Sequence, residues 1–129
     1  MNKFRIGEAA QLLGVSSDTV RRWADSGRLS IERTEGGHRL INGVELAKLA
    51  QEISDSSEQE GATLSARNRF TALVTRVVAD GVMAQVELQA GPYRVVSLIS
   101  AEATRELGLE PGALAVAAIK ATNVVIERP

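Results

Sequence analysis

The sequence predicts an α+β chain made of two small units, a mainly helical N-terminal half and a small antiparallel β-barrel behind it. Apolar residues recur with a helical period up to about residue 53 and with period 2 from about residue 64. Between these regions, SDSSEQEGATL is poor in large apolar groups and carries Asp55, Glu58 and Glu60 with no compensating base, which is the composition of a linker. The 129 residues, 44% apolar and 24% charged, suit one ordinary domain or two very small ones. The expected division is a first domain over 1–53, an acidic flexible linker over 54–63 and a second domain over 64–129.

In the first half, Ile6, Ala9, Ala10 and Leu13 share one face of a helix of about two turns that starts near Gly7 and stops at Gly14. Ser16 is the expected N-cap of a second helix, on which Val20, Trp23 and Ala24 point inward and Ser17, Asp18, Arg21, Arg22 and Asp25 outward. Leu29, Ile31 and Leu40 flank Gly36-Gly37, the chemistry of a hairpin with positive φ at its turn. Asn42 followed by Glu45 marks the start of a third helix striped by Leu46, Leu49, Ala50 and Ile53.

In the second half, Val82, Ala84, Val86 and Leu88 alternate with polar or flexible neighbours and define a half-buried strand. RFTALVTRVV and an Asp80-Gly81 turn precede it, making a hairpin. Gly91-Pro92 turns into a third strand, YRVVSLIS, followed by a short helix over about 101–107 that ends at Gly108. ALAVAAIK and NVVIE supply the last two strands. Five strands and one helix in about 65 residues predict a small barrel of oligonucleotide/oligosaccharide-binding topology.

Composition narrows the function. With 15 Lys+Arg against 16 Asp+Glu, no global positive field draws the chain to nucleic acid, so any such affinity is local. The acidity is concentrated in the linker, and each flanking half has one more base than acid. The absence of Cys and the presence of one His, His38, exclude disulfides, thiolate nucleophiles and Cys/His zinc sites. No G-x-S-x-G or G-K-[ST] motif is present, and the lone histidine belongs to the hairpin, so a non-enzyme is expected. Neither a signal peptide nor an apolar run long enough to span a membrane is visible, and the expected location is the cytoplasm.

AAQLLGVSSDTVRRWADSGRL has the pattern of a helix-turn-helix, with small Ala10 at the crossing, Gly14 in the turn and Val15 and Val20 filling the gap. Its second helix is sized for a major groove of double-stranded DNA. Arg21 and Arg22 can reach guanine edges or phosphates, Ser17 and Thr19 can donate to phosphates near the helix N-terminus, and Arg33, His38 and Arg39 sit on the hairpin. The plainer reading makes Trp23 a core anchor, His38 a turn residue and the arginines a solvated face. The segment FRIGEAAQLLGVSSDTVRRWADSGRLSIERTEGGHRLI resembles the winged helix-turn-helix of the MerR and excisionase superfamily, which implies that the hairpin is a DNA-contacting wing. Many regulators of that family continue into a long dimerising helix, whereas here the third helix runs into the acidic linker, so pairing must come from elsewhere.

The second half holds hydrogen-bond donors without matching acceptors. Lys120 follows ALAVAAI and precedes Ala121 and Val124, and is expected at the end of a strand buried on both faces, where a cation needs an anion. Ser65, Arg67, Ser100 and Thr122 add hydroxyl and guanidinium donors, and no carboxylate adjoins Ser65, Arg67 or Lys120 in sequence. Such a set suits a deprotonated tetrahedral dianion, which only accepts hydrogen bonds. The motifs S-A-R-N, L-I-S…L-G-L-x-x-G and I-K-A-T-x-V together resemble the Mop or TOBE domain of molybdate-binding proteins. The resemblance implies molybdate or tungstate bound between subunits by Ser65, Arg67, Ser100, Lys120, Ala121 and Thr122, with no metal ligated directly, in a dimer or a trimer of dimers.

Together the two halves predict a molybdate- or tungstate-responsive DNA-binding transcriptional regulator. Two alternatives are weighed beside it: a molybdate storage or homeostasis protein whose N-terminal domain makes other contacts, and an excisionase-like DNA-binding protein whose second half only oligomerises. Sulfate and phosphate are the competing anions.

Overall fold

A computed structural model gives the fold of the chain and describes residues 2–56 and 67–129. The chain is α+β and divides into two compact units, Met1–Gln59 and Glu60–Pro129. The first unit runs β1 (Lys3–Arg5), α1 (Ile6–Leu13), α2 (Ser17–Asp25), β2 (Ile31–Arg33), β3 (Arg39–Asn42) and α3 (Gly43–Ser56). Residues 54–56, the first of the expected linker, are thus helical, and the rest of that linker lies outside the described residues.

Local chemistry fixes each boundary of this unit. Gly14 ends α1 in the left-handed region at φ 67, and the Val15 N–H turns back to the Ala10 carbonyl at 3.0 Å. The Ser16 hydroxyl accepts the Thr19 N–H at 3.1 Å and caps α2. The Asn42 Oδ1 accepts the Val44 N–H at 2.8 Å at the start of α3. Ala9, Ala10, Val20, Leu29, Ile41, Leu46 and Leu49 form the buried core, with Phe4, Trp23 and Ile53 packed against it.

Two features differ from the sequence expectation. A third strand, β1, pairs with β3, so the hairpin becomes a three-stranded sheet of order β1-β3-β2. Phe4 sits opposite Ile41, and Gly43 lies so close that a Cβ there would stand 3.0 Å from the Asn2 carbonyl oxygen. At the hairpin tip only Gly37 takes positive φ, at 80. The turn is closed by Thr34 N–H to the His38 carbonyl and Gly37 N–H to the Thr34 carbonyl, both at 2.9 Å.

The second unit comprises β4 (Asn68–Ala79), β5 (Met83–Ala90), β6 (Tyr93–Ser100), α4 (Ala101–Glu106) and β7 (Leu114–Ile119), in a fully antiparallel sheet of order β6-β5-β4-β7. Strand β4 pairs with β7 through Leu73 and with β5 from Leu73 onward. A register shift between Val74 and Arg76 breaks the β4–β5 ladder, and there the Thr75 hydroxyl donates to the Glu87 carbonyl at 3.2 Å. Bulges of this kind bend a strand and increase its twist, and the sheet curls into a half-barrel around Ala72, Val74, Val86 and Leu88.

The expected fifth strand, NVVIE, is not formed. A 3₁₀ turn over Ala121–Asn123 breaks the ladder after β7, and Val125 and Ile126 beyond it are 83% and 84% exposed. Val82 also departs from the expected alternation. It is 73% exposed, because the Asp80 carboxylate accepts the Val82 and Met83 N–H groups at 2.7 and 2.8 Å and holds Val82 in the turn. Inward alternation begins at Ala84. The unclosed barrel leaves an apolar cavity of about 500 Å³ bordered by Val86, Leu88, Val95, Ile99, Leu109 and Ala115. Among the described residues no charged side chain lines it, so they offer an anion no partner there.

Among the described residues, no helix is long and apolar enough to cross a membrane.

Candidate functional site

Each unit carries one cluster of the sequence-predicted residues. In the first, the N-terminal turn of α2 is organised by its own side chains. The hydroxyls of Ser16 and Thr19 lie 2.9 Å apart, and Thr19 Oγ1 also accepts from the Arg22 guanidinium at 3.2 Å. Arg21 pairs with Asp18 one turn back at 2.7 Å. Such exposed pairs contribute about 0–1 kcal/mol, so a phosphate can displace them at little cost. Arg21 and Arg22 are exposed, while Ser17 and Thr19 are half-buried.

On the sheet, Arg33 and Arg39 stand directly opposite each other in the β2–β3 register. Arg39 is relieved by Asp25 of α2 at 3.5 Å, a contact that ties the hairpin to the helix. His38 and Arg39 border a cleft of about 230 Å³ together with Gly37, Ile6 and Arg5. Arg5 is absent from the residues singled out by sequence. It belongs to a strand of three residues, too short for any periodicity to reveal.

In the second unit, the β4–β7 register sets Asn68 against Ile119, and the Asn68 Nδ2 donates to the Ile119 carbonyl at 3.1 Å. Arg67 immediately precedes Asn68 and Lys120 immediately follows Ile119, so the two cations flank that rung in sequence. Lys120 leads directly into the 3₁₀ turn that carries Ala121 and Thr122, and its carbonyl accepts the Asn123 N–H at 2.9 Å. Arg67, Lys120, Ala121 and Thr122 are therefore brought together at one end of the sheet, all exposed. Neither Arg67 nor Lys120 makes an ion pair among the described residues.

The expectation that Lys120 ends a strand buried on both faces is overturned. Strand β7 lies at the sheet edge, its residues alternate between exposed and half-buried, and Lys120 itself is exposed. An unbroken apolar run such as ALAVAAI reads as a central strand, but here one of its faces is left uncovered.

Ser100 lies elsewhere. It pairs with Met83 at the far end of the sheet, beside the turn that follows Ala79. Measured along β4, that end is on the order of 35 Å of extended strand from Asn68. The Ser100 hydroxyl accepts the Ala103 N–H at 3.0 Å and caps α4, which leaves its proton available for donation. Ser65 lies outside the described residues.

The outer face of the sheet holds one further charged cluster. Glu87 on β5 accepts from Arg94 of β6 at 2.5 Å and from Gln85 at 3.3 Å. The Arg94 hydrogen bond is the largest of the influences that hold the Glu87 carboxyl below the usual glutamate range, desolvation opposes it, and the charges of Arg94 and Arg76 add to it. Asp80 is likewise held low, by the Met83 and then the Val82 backbone N–H groups. Both carboxylates are engaged in the fold and neither faces the Arg67–Lys120 end.

Residues 5–41 match the model of the MerR family regulatory proteins, and residues 64–126 match that of the TOBE domain. Molybdenum-pterin-binding proteins 1 and 2 of Clostridium pasteurianum are each 37% identical over 65 residues, which span 50% of this chain and 96% of each relative. A molybdate binding protein from Sporomusa ovata has a solved structure that overlays with a TM-score of 0.50 at 29% identity, covering 51% of this chain and 98% of its own.

Proposed function

Because the chain belongs through its C-terminal half to the family of Mop/TOBE proteins and carries a MerR-type helix-turn-helix ahead of it, we propose that it is a molybdate- or tungstate-responsive DNA-binding regulator acting in the cytoplasm. The observation that supports the anion half is the Asn68–Ile119 rung, since Arg67 adjoins Asn68 and the Lys120–Thr122 turn adjoins Ile119 in sequence. Two cations without a carboxylate partner among the described residues, near a hydroxyl and the backbone N–H groups of a tight turn, suit a small dianion that only accepts hydrogen bonds. We assign Arg67, Lys120, Ala121 and Thr122 to one half of this site, and Ser65 to the same half from the S-A-R-N motif alone.

Ser100 belongs to the other half, contributed by a second copy. Its position at the opposite end of the sheet from Lys120 supports a site built across two copies rather than within one. An anion held in this way favours whichever arrangement closes the interface between copies. It thereby shifts the population of arrangements in which two heads address DNA. On the head, α2 enters the major groove with Arg21 and Arg22, and Ser17 and Thr19 hold its N-terminal turn against phosphate. Arg33, His38 and Arg39 contact the backbone from the wing. Neither matched family is a catalytic one.

A storage or buffering role is favoured by one observation: the C-terminal half alone matches the relatives over 96% of their length, so the likeness does not involve the head. Two measurements separate the readings. Calorimetric titration with molybdate, tungstate and sulfate should give binding that Lys120→Ala abolishes; sulfate binding as tightly as molybdate would sink the sensor. Fluorescence anisotropy with the DNA upstream of the protein's own gene should show an affinity that molybdate changes. No DNA binding at low salt leaves the buffering role standing.

A further inference from the structure

We infer that Arg5 joins His38 and Arg39 in a cleft that takes a single phosphate group of the DNA backbone, an inference that rests on the DNA-binding reading of the head. The cleft of about 230 Å³ is bordered by Arg5, Ile6, Gly37, His38 and Arg39, so three of its five residues carry nitrogen donors in their side chains. The cleft is roomy enough for a phosphate group, and arginine's planar fork matches phosphate oxygens two at a time.

The surrounding charges leave an excess at this place. Arg33 and Arg39 are cross-strand partners, and like charges set opposite each other are destabilising. Among the described residues only Arg39 of the two is paired with a carboxylate, Asp25 at 3.5 Å, and that pair is stretched and exposed at its acidic end. On β1 the two basic residues differ in the same respect. Lys3 is paired with Glu32 of β2, whereas Arg5 has no ion pair among the described residues. Glu8, three residues on, accepts the backbone N–H of Arg5 at 3.0 Å rather than its guanidinium. Strand β1 therefore presents one compensated cation and one uncompensated, and the uncompensated one borders the cleft. Gly37, at φ 80 and with nothing within 4 Å of where a Cβ would stand, leaves the rim open to an approaching backbone.

A contact of this kind carries no sequence information. It contributes equally on specific and random duplexes and releases about one counterion. The test measures DNA affinity of the full chain against salt for wild type, Arg5→Gln and Lys3→Gln. Arg5→Gln should weaken binding about 5- to 10-fold on both duplexes and flatten the log K against log salt slope by about 0.9, while Lys3→Gln changes neither by more than about 2-fold. Equal affinity and slope for wild type and Arg5→Gln overturn the assignment while leaving the DNA reading intact. A wild type that binds no DNA overturns both. Inorganic phosphate, substituted for chloride at constant ionic strength, should lower the affinity of wild type more than that of Arg5→Gln, because it competes for the same donors; an equal loss in both overturns the assignment.

Discussion

The Asn68 side chain donates to the Ile119 carbonyl at 3.1 Å and locks the first residue of β4 against the last residue of β7. The bond sits one residue away in sequence from both Arg67 and Lys120, so its loss should loosen the end of the sheet from which the two cations project. Asn68→Ala should cost about 1 kcal/mol of stability, the net worth of one hydrogen bond, and weaken molybdate binding roughly tenfold, which corresponds to about 1.4 kcal/mol. Asn68→Asp should weaken it further, because a carboxylate cannot donate to Ile119 and adds a negative charge beside the anion. Calorimetry of the two variants ranks them, and Asp binding as well as Ala would separate Asn68 from the site.

The same rung marks where sequence reasoning succeeded and where it stopped. Features set by local chemistry were legible: the Ser16 cap, the Gly14 stop, the YRVVSLIS strand and the S-A-R-N and I-K-A-T motifs. Features set by what a segment packs against were not. ALAVAAI is apolar throughout, yet its strand is an edge; NVVIE is strand-like in composition, yet none of the described residues pairs with it. Strand β1 is three residues long and is held by its register with β3, which no local pattern encodes. Val82 continues an alternating pattern but is captured by the Asp80 turn. The candidate site was named in the sequence only as a set of residue types. That Ser100 stands at the opposite end of the sheet from Lys120 became visible only through the strand register.

The Glu87–Arg94 pair gives the barrel an acid-sensitive element. The folded-state pKa of Glu87 lies below its ordinary value, chiefly through the Arg94 hydrogen bond, so the stabilisation is fully present above the ordinary glutamate range. It is lost as pH falls through the depressed value. Urea midpoints of wild type and Glu87→Gln should therefore differ at neutral pH and converge on acidification. A gap that stays constant with pH would show that Glu87 acts by packing alone.

The two buried cores share no residue: one contains Ile41 and Leu29, the other Val74 and Leu88. Ile41→Ala and Leu88→Ala should each cost about 2–5 kcal/mol, but in different units. The chain has one tryptophan, Trp23, and it packs against the first core beneath Arg28. Its fluorescence should report an earlier unfolding transition for Ile41→Ala and an unchanged one for Leu88→Ala, whose loss appears in the circular dichroism of the sheet. A fluorescence shift of equal size in both variants would mean that the units unfold as one.

Val125 and Ile126 extend beyond the 3₁₀ turn almost fully exposed, as Leu114 and Leu98 do on the two edge strands. A lone chain gains nothing from leaving them in water. Covering an aliphatic side chain of this size stabilises by about 1.5–3 kcal/mol, and the proposed assembly of two or more copies supplies the cover. Val125→Asp with Ile126→Asp should reduce the oligomer to monomers in sedimentation velocity at micromolar concentration. Because Ser100 and the Lys120 turn lie at opposite ends of one sheet, the same variant should also lose molybdate binding, although neither residue belongs to the anion site. The Trp23-monitored unfolding of the head should stay unchanged. A variant that remains oligomeric, or a monomer that still binds molybdate as tightly as wild type, would show that the site does not need a second copy.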